Sequence, residues 1–316
     1  MSRTRSNLAQ LHDQLWLTDG GMETSLIFQQ GLELPDFASF HLLRTPDGET
    51  ALRAYFRPYA AIARRHGTGL LLETPTWRAS ADWGVRHGLD ADALRRINAR
   101  AVSLMEQLRD EWAPLPVVIS GCLGPRGDGY VATAMMTVRG AEAYHQTQVD
   151  TFASTNVDML SAMTLNYVEE AIGVTHAARN AGLPIAVSFT VETNGKLPTG
   201  QSLGSAIRLV DAATSGYPAY FMVNCAHPTH FAHLLDPAEH WVRRIHGIRA
   251  NASCRSHAEL NDSTDLDIGD PLGLAVSYAQ LRQRLPQLTV LGGCCGTDER
   301  HVEAIAAACA RAPQPA

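Results

Sequence analysis

The sequence predicts a closed (β/α)8 barrel, formed as a single domain over residues 1–316. Three observations lead there. Short apolar runs recur at residues 15–19, 69–75, 117–122, 157–163, 184–191, 220–225, 245–252 and 288–294. Between them, apolar side chains fall at three- and four-residue steps, the spacing of an amphipathic helix. The runs are mostly continuous rather than alternating, as parallel strands covered on both faces require. An open doubly wound sheet is the competing arrangement, and the succession of eight strand-then-helix units favours closure.

The helices have identifiable faces and starts. Leu94, Ile97, Ala101, Leu104 and Leu108 form one stripe, with Asp90 placed to cap its first turn. Leu52, Phe56, Tyr59 and Ala63 form another, and Val302, Ile305, Ala306 and Cys309 a third. Pro228, just past the sixth run, suits the first turn of a helix. The longest connections, near residues 20–50 and 123–140, follow the first and third strands and so fall on the face where barrels keep their chemistry. Residues 310–316 read as a frayed tail.

Composition excludes several classes. With 45% hydrophobic and 18% charged residues the chain can bury a large core, which excludes wholesale disorder. A formal charge of −6 and the lack of any basic tract argue against nucleic-acid or anionic-membrane partners. The first residues hold no apolar segment of the secretory kind, and no run approaches a membrane span. The expectation is a soluble, cytoplasmic protein acting on small molecules.

In such a compartment the six cysteines are not a disulfide scaffold. Cys294 and Cys295 sit side by side within Gly292-Gly293-Cys294-Cys295-Gly296-Thr297, at the end of the eighth run. Cys225 ends the sixth, in Asn224-Cys225-Ala226-His227-Pro228. Strand ends six and eight are near neighbours on a barrel rim, so three sulfurs can converge. Three thiolates favour zinc and leave one tetrahedral position open. The competing reading is that these cysteines are small hydrophobic filler, which is the expectation for Cys122, Cys254 and Cys309. His227, His230 and His233 offer a rival cluster around Cys225. His230 and His233 fall on one helix face, and solvated or capping roles account for all three. The glycines of residues 124–129 lack the helix-opening pattern of a phosphate loop.

Asp19-Gly20-Gly21-Met22-Glu23-Thr24, the Asn224-Cys225 pair and Gly292-Gly293-Cys294-Cys295-Gly296-Thr297, in that order over nearly the whole chain, resemble the homocysteine S-methyltransferase family. The resemblance implies a zinc ion on Cys225, Cys294 and Cys295. It also implies methyl transfer from a sulfonium or betaine-type donor to homocysteine, giving methionine, or to a related thiol or selenol. Asp19 matches a residue that holds the acceptor's amino group. Asn224 and Asn251 are carried over as substrate-binding positions. Relatives place a second carboxylate at the end of the fourth strand; the matching residue here is Met163. Glu73 and Glu192, both at carboxyl ends of predicted strands, are candidates to replace that charge, Glu73 foremost. Trp77, Trp83 and Tyr130, near the predicted rim, offer aromatic faces to a cationic donor. The rival readings are a zinc enzyme of another reaction class and a non-catalytic barrel that senses zinc or thiols.

Overall fold

The computed structural model describes residues 5, 7–12, 14–263 and 265–310. Most of the expected frayed tail lies outside the described residues. Eight parallel strands close on themselves in sequence order. They are β1 (Trp16–Leu17), β2 (Gly69–Glu73), β3 (Val117–Leu123), β4 (Met159–Leu165), β5 (Ile185–Phe189), β6 (Tyr220–Asn224), β7 (Ile245–Ala250) and β8 (Val290–Gly293). Closure is made by β1, whose Trp16 and Leu17 lie beside Gly69 and Leu70 on one side and Val290 and Leu291 on the other. The doubly wound alternative is therefore excluded.

Six of the eight strands are shorter than their apolar runs, which also supply rim turns; β3 extends one residue past its run to Leu123, and β4 is as long as its run but lies two residues further on. After Leu17, Thr18 N still bonds to Leu291 O and Gly293 N to Asp19 O, both at 2.9 Å. The chain then turns at Gly20-Gly21, where a Cβ on Gly21 would strike the carbonyl oxygen of Cys294. Close approach of the two motif loops thus requires glycine there.

Helices α1 (Met22–Thr24) and α2 (Pro46–Arg65) follow β1, and α3 (Ala81–Arg86) and α4 (Ala91–Glu111) follow β2. The next three strands lead into α5 (Val138–Ala153), α6 (Val168–Asn180) and α7 (Leu203–Thr214). Only the four-residue α8 (Pro228–Phe231) and 3-10 turns follow β6, so the sixth unit has no full-length helix. Past β7 come α9 (His257–Asn261) and α10 (Pro271–Arg284), and α11 (Glu299–Cys309) ends the barrel. Asp90 caps α4 by accepting Ala93 N at 2.7 Å, and Pro228 opens α8. The three apolar stripes read from the sequence are buried, and they join the layer of core between sheet and helices.

Strand periodicity sets what the barrel encloses. Side chains two apart share a face, so the interior is built from Leu71 and Glu73, Val118, Ser120 and Cys122, Met159, Ser161 and Met163, and Met222 and Asn224. Trp16, Leu71, Val118, Met159, Tyr220, Met222 and Val290 pack as one apolar plug. Beyond it, toward the carboxyl ends, the layer turns polar: Glu73 pairs in register with Ser120, and Asn224 with Arg249. A floor of hydrocarbon thus supports a polar mouth.

Candidate metal centre

Among the described residues, one group of metal-ligating side chains stands out. The sulfurs of Cys225, Cys294 and Cys295 all lie within 4.8 Å of one another at that mouth. Cys225 and Cys294 are in direct sulfur–sulfur contact, with Cα atoms 5.4 Å apart.

The backbone at Cys225 is held in an unusual state. Its φ of 53° lies in the left-handed region, sparsely used by side-chain-bearing residues. Its carbonyl accepts from Asn251 Nδ2 at 3.1 Å, His257 Nε2 at 2.6 Å and Thr190 Oγ1 at 3.4 Å. Because a carbonyl only accepts, His257 carries its proton on Nε2. Cys225 N donates to Arg249 O at 3.0 Å. Such strain persists where surrounding bonds over-determine it, and it concentrates at functional sites. Thr164, which faces Cys225 from the bulged end of β4, has a φ of 60° as well.

Cys294 is fixed by its own backbone: its N–H bonds to Ala250 O at 2.8 Å, and its carbonyl accepts from Thr297 Oγ1 at 2.7 Å. A Cβ on Gly293 would run into the Thr297 hydroxyl, so that turn too requires glycine. Neutral donors surround the sulfurs. Asn224 Nδ2 lies 3.4 Å from Cys225 Sγ and 4.0 Å from Cys294 Sγ, and Tyr130 Oη lies 3.6 Å from Cys295 Sγ. Asn224 is oriented by donors on its other end, Thr164 N at 2.9 Å and Ser188 Oγ at 2.6 Å. Burial pushes the Cys295 thiol up, while the Tyr130 hydrogen bond opposes it.

Under the sulfurs lies an ion network with Arg249 at its centre. Its Nη2 reaches Asp19 Oδ1 at 2.6 Å and Gly20 O at 3.1 Å, Nη1 contacts Glu73 Oε2, and Nε donates to Gly293 O at 3.0 Å. Tyr55 donates to Asp19 Oδ2 at 2.9 Å. Burial works against the guanidinium charge, and the two carboxylates outweigh it, so Arg249 stays protonated. Burial pushes the Asp19 and Glu73 carboxyls up, with Arg249 opposing in both cases.

A cavity opens from this network past the sulfurs. Asp19, Glu73, Met163, Asn224, Trp77 and Tyr130 line it, together with all three cysteines. Other positions singled out from the sequence fall elsewhere. Asn251 stands behind Cys225 and positions its carbonyl. Glu192 is outside the cavity, with Oε1 3.3 Å from His257 Nδ1. Trp83 is outside as well, stacked under the Arg78 guanidinium at 3.7 Å.

The histidine cluster disperses. His227 caps α8, accepting Thr229 N at 3.3 Å, and burial pushes its pKa down to about 4. His230 is neither solvated nor a cap: it is buried against Cys254 O at 2.9 Å, whereas His233 is exposed. The two do not share an environment. Cys254, expected as buried filler, is exposed; Cys122 and Cys309 are buried.

Sequence reasoning missed Arg249, Tyr55 and Glu23, all part of or beside this network. The available signal for Arg249 was a fixed charge near the carboxyl end of a mostly buried parallel strand.

A parallel eight-stranded barrel with three converging cysteines at its carboxyl mouth defines a class of thiol- or metal-centred barrel protein. The family model for homocysteine S-methyltransferase matches residues 16–309, and the chain belongs to that family. Betaine–homocysteine S-methyltransferase 1 of Rattus norvegicus is 28% identical over 231 residues, 67% of this chain and 53% of that protein. Its Bos taurus counterpart is 25% identical over 227 residues, again 67% of this chain and 53% of that protein. The matched stretch thus spans about half the length of these curated relatives. Among solved structures, the oxidised homocysteine methyltransferase MmuM from Escherichia coli superposes with a TM-score of 0.72 at 20% identity, over 95% of this chain and 97% of that one. The metallated form gives 0.69 at 19%, over 94% and 96%. At that identity the likeness shows the shared fold.

Proposed function

We propose that this chain is a single-domain, zinc-dependent S-methyltransferase. Its reaction moves a methyl group from a sulfonium or betaine-type donor to the thiol of homocysteine or a related thiol or selenol. The observation that carries the reading is the convergence of three cysteine sulfurs on one open cavity. Family membership and the acceptor named in its relatives support it.

The donor set fits zinc. Three soft, anionic sulfurs would suit a borderline-soft ion and would leave it able to accept one further ligand. An all-thiolate set also favours this reading over a zinc hydrolase, since catalytic hydrolases prefer histidine and carboxylate ligands. Cys225, Cys294 and Cys295 would hold the zinc, which would supply Lewis acidity that lets an acceptor thiol, whose free pKa is about 8.5, bind as the thiolate at neutral pH.

The chain's own residues do the rest. Asn224, locked by Thr164 N and Ser188, donates to Thr164 Oγ1 at 2.8 Å and turns the rest of its amide nitrogen toward Cys225 and, more distantly, Cys294, which orients the sulfurs. Tyr130 does the same for Cys295. Trp77 lines the cavity and offers an aromatic face to a cationic donor. In the transfer the acceptor sulfur's electron pair forms the new S–C bond. The donor sulfur or nitrogen takes the pair of the breaking bond and leaves uncharged at that atom. No general base is called for, and positioning of two substrates supplies most of the acceleration.

The test is direct. Reduced, zinc-loaded protein is incubated with homocysteine and, in separate arms, S-methylmethionine, betaine and a dimethylsulfonium carboxylate, and methionine is followed. Methionine in any arm supports the reading; none in all arms removes homocysteine as acceptor.

A further inference from the structure

The cavity's charges do not balance, and the imbalance is local. Three carboxylates and one guanidinium line it: Asp19, Glu23, Glu73 and Arg249. Asp19 is fully committed, with one oxygen on Arg249 and the other on Tyr55. Glu73 gives Oε2 to Arg249. Met163, at the end of β4, brings no charge. That leaves Glu23, four residues past Asp19, partly buried at the cavity wall.

Glu23 Oε1 accepts from Ser39 Oγ at 2.8 Å. Among the described residues no arginine, lysine or histidine forms an ion pair with it. A carboxylate drawn out of water beside three thiol sulfurs, served by the Ser39 hydroxyl and its own backbone N–H with Arg249 acting only at a distance, carries a cost that a bound cation would remove. A second observation points the same way. Glu73 is 4% exposed and its Oε1 has no hydrogen-bond partner, so a buried anionic oxygen in the same cavity also lacks a donor.

We propose that Glu23 is the anionic seat for the cationic group of a substrate, either the ammonium of the thiol acceptor or the onium centre of the methyl donor. The assignment rests on reading this cavity as a methyl-transfer site. It explains how a site with Met163 at the fourth strand end keeps a seat for a cation: the charge stands on α1, just past β1, instead of on β4.

Zinc-loaded wild-type and Glu23→Gln proteins are titrated calorimetrically with L-homocysteine, its desamino analogue 4-mercaptobutyrate, glycine betaine and a dimethylsulfonium carboxylate. Losing a charge-assisted contact corresponds to about tenfold weaker binding or more. A loss of that size for homocysteine, with 4-mercaptobutyrate unchanged, assigns the acceptor ammonium. A loss confined to the two onium ligands assigns the donor. Unchanged affinities throughout, an equal loss for both thiols, or no measurable binding of any cationic ligand by the wild type overturns the proposal. Zinc content of Glu23→Gln must equal that of the wild type; loss of metal means a structural role and overturns it as well. Glu23→Asp keeps the charge and must bind the affected ligand more tightly than Glu23→Gln does. Because binding is the readout, a wild type that holds homocysteine through Glu23 yet makes no methionine separates failure of the proposed activity from failure of this assignment.

Discussion

Arg249 and Asp19, 230 residues apart in the chain, meet at 2.6 Å beneath the cysteine cluster. Arg249 lies against Glu73 too, so one buried cation holds two buried anions. Removing one partner of such an assembly leaves the others unpaired in a place water does not reach, which costs more than the pair itself contributed.

Arg249→Met is therefore expected to destabilise the protein by about 3–5 kcal/mol. Arg249→Lys recovers only part of this, because an ammonium cannot span Asp19, Glu73 and two carbonyls in one plane. Urea denaturation of the three proteins measures both differences. A loss under about 1 kcal/mol for Arg249→Met, the range of exposed pairs, would contradict the network's role.

The proposed metal ligands are separable from the remaining cysteines by substitution. Cys225→Ala, Cys294→Ala and Cys295→Ala are each expected to lose stoichiometric zinc and methyl transfer. Cys309→Ala, at the last position of α11, and Cys254→Ala, at an exposed position, are expected to keep both. Elemental analysis after dialysis against a weak chelator reads the outcome. Full zinc retained by Cys225→Ala would break the three-sulfur assignment.

Asn224→Asp tests the donors around the sulfurs. The change is nearly isosteric, but it replaces an N–H group 3.4 Å from Cys225 Sγ with a carboxylate oxygen. An anion then faces thiolates that already carry negative charge. Outer partners of metal ligands typically contribute 10–100-fold in affinity, so zinc affinity is expected to fall by about that factor. Competition with a chromophoric chelator measures it, and an unchanged constant would reduce Asn224 to a packing residue.

How much of this was legible in the sequence depends on whether the signal was local. The barrel was readable because eight apolar runs and their helical spacers repeat. The proximity of Cys225 to Cys294 and Cys295 was readable because strand order fixes which rim loops neighbour one another. The partners of Asp19 were not, since a contact across 230 residues depends on the register of β7, which no local pattern encodes. Arg249 stands out in the sequence only as a charge within β7, with nothing local to pair it with Asp19 or Glu73. The short sixth helix was not legible either: Pro228 marked where α8 begins, and no local signal marked its end after Phe231. The exposure of Cys254 was beyond sequence because nothing in a loop's composition says which side of it faces solvent.

Asp298 caps α11 and links it to the first loop. Its carboxylate accepts from Arg300 N at 3.0 Å and from Gln29 Nε2 at 2.9 Å, and His301 Nδ1 lies 3.0 Å away. Burial pushes this carboxyl up, but the His301 and Arg300 hydrogen bonds and the His301 charge prevail and hold it well below the usual carboxylate range. The sign follows from linkage: a group whose folded pKa is depressed stabilises the native state above its unfolded pKa, about 3.9 for aspartate. That contribution disappears as pH falls through the folded value. Asp298→Ala is therefore expected to cost about 1–2 kcal/mol at pH 7, and less at pH 3, where the wild type has begun to lose the same contribution. Urea midpoints of both proteins at the two pH values measure the difference. An equal loss at pH 7 and pH 3 would mean that Asp298 acts through hydrogen bonds indifferent to its charge, and that the His301 and Arg300 contacts contribute nothing electrostatic to holding α11 against the mouth.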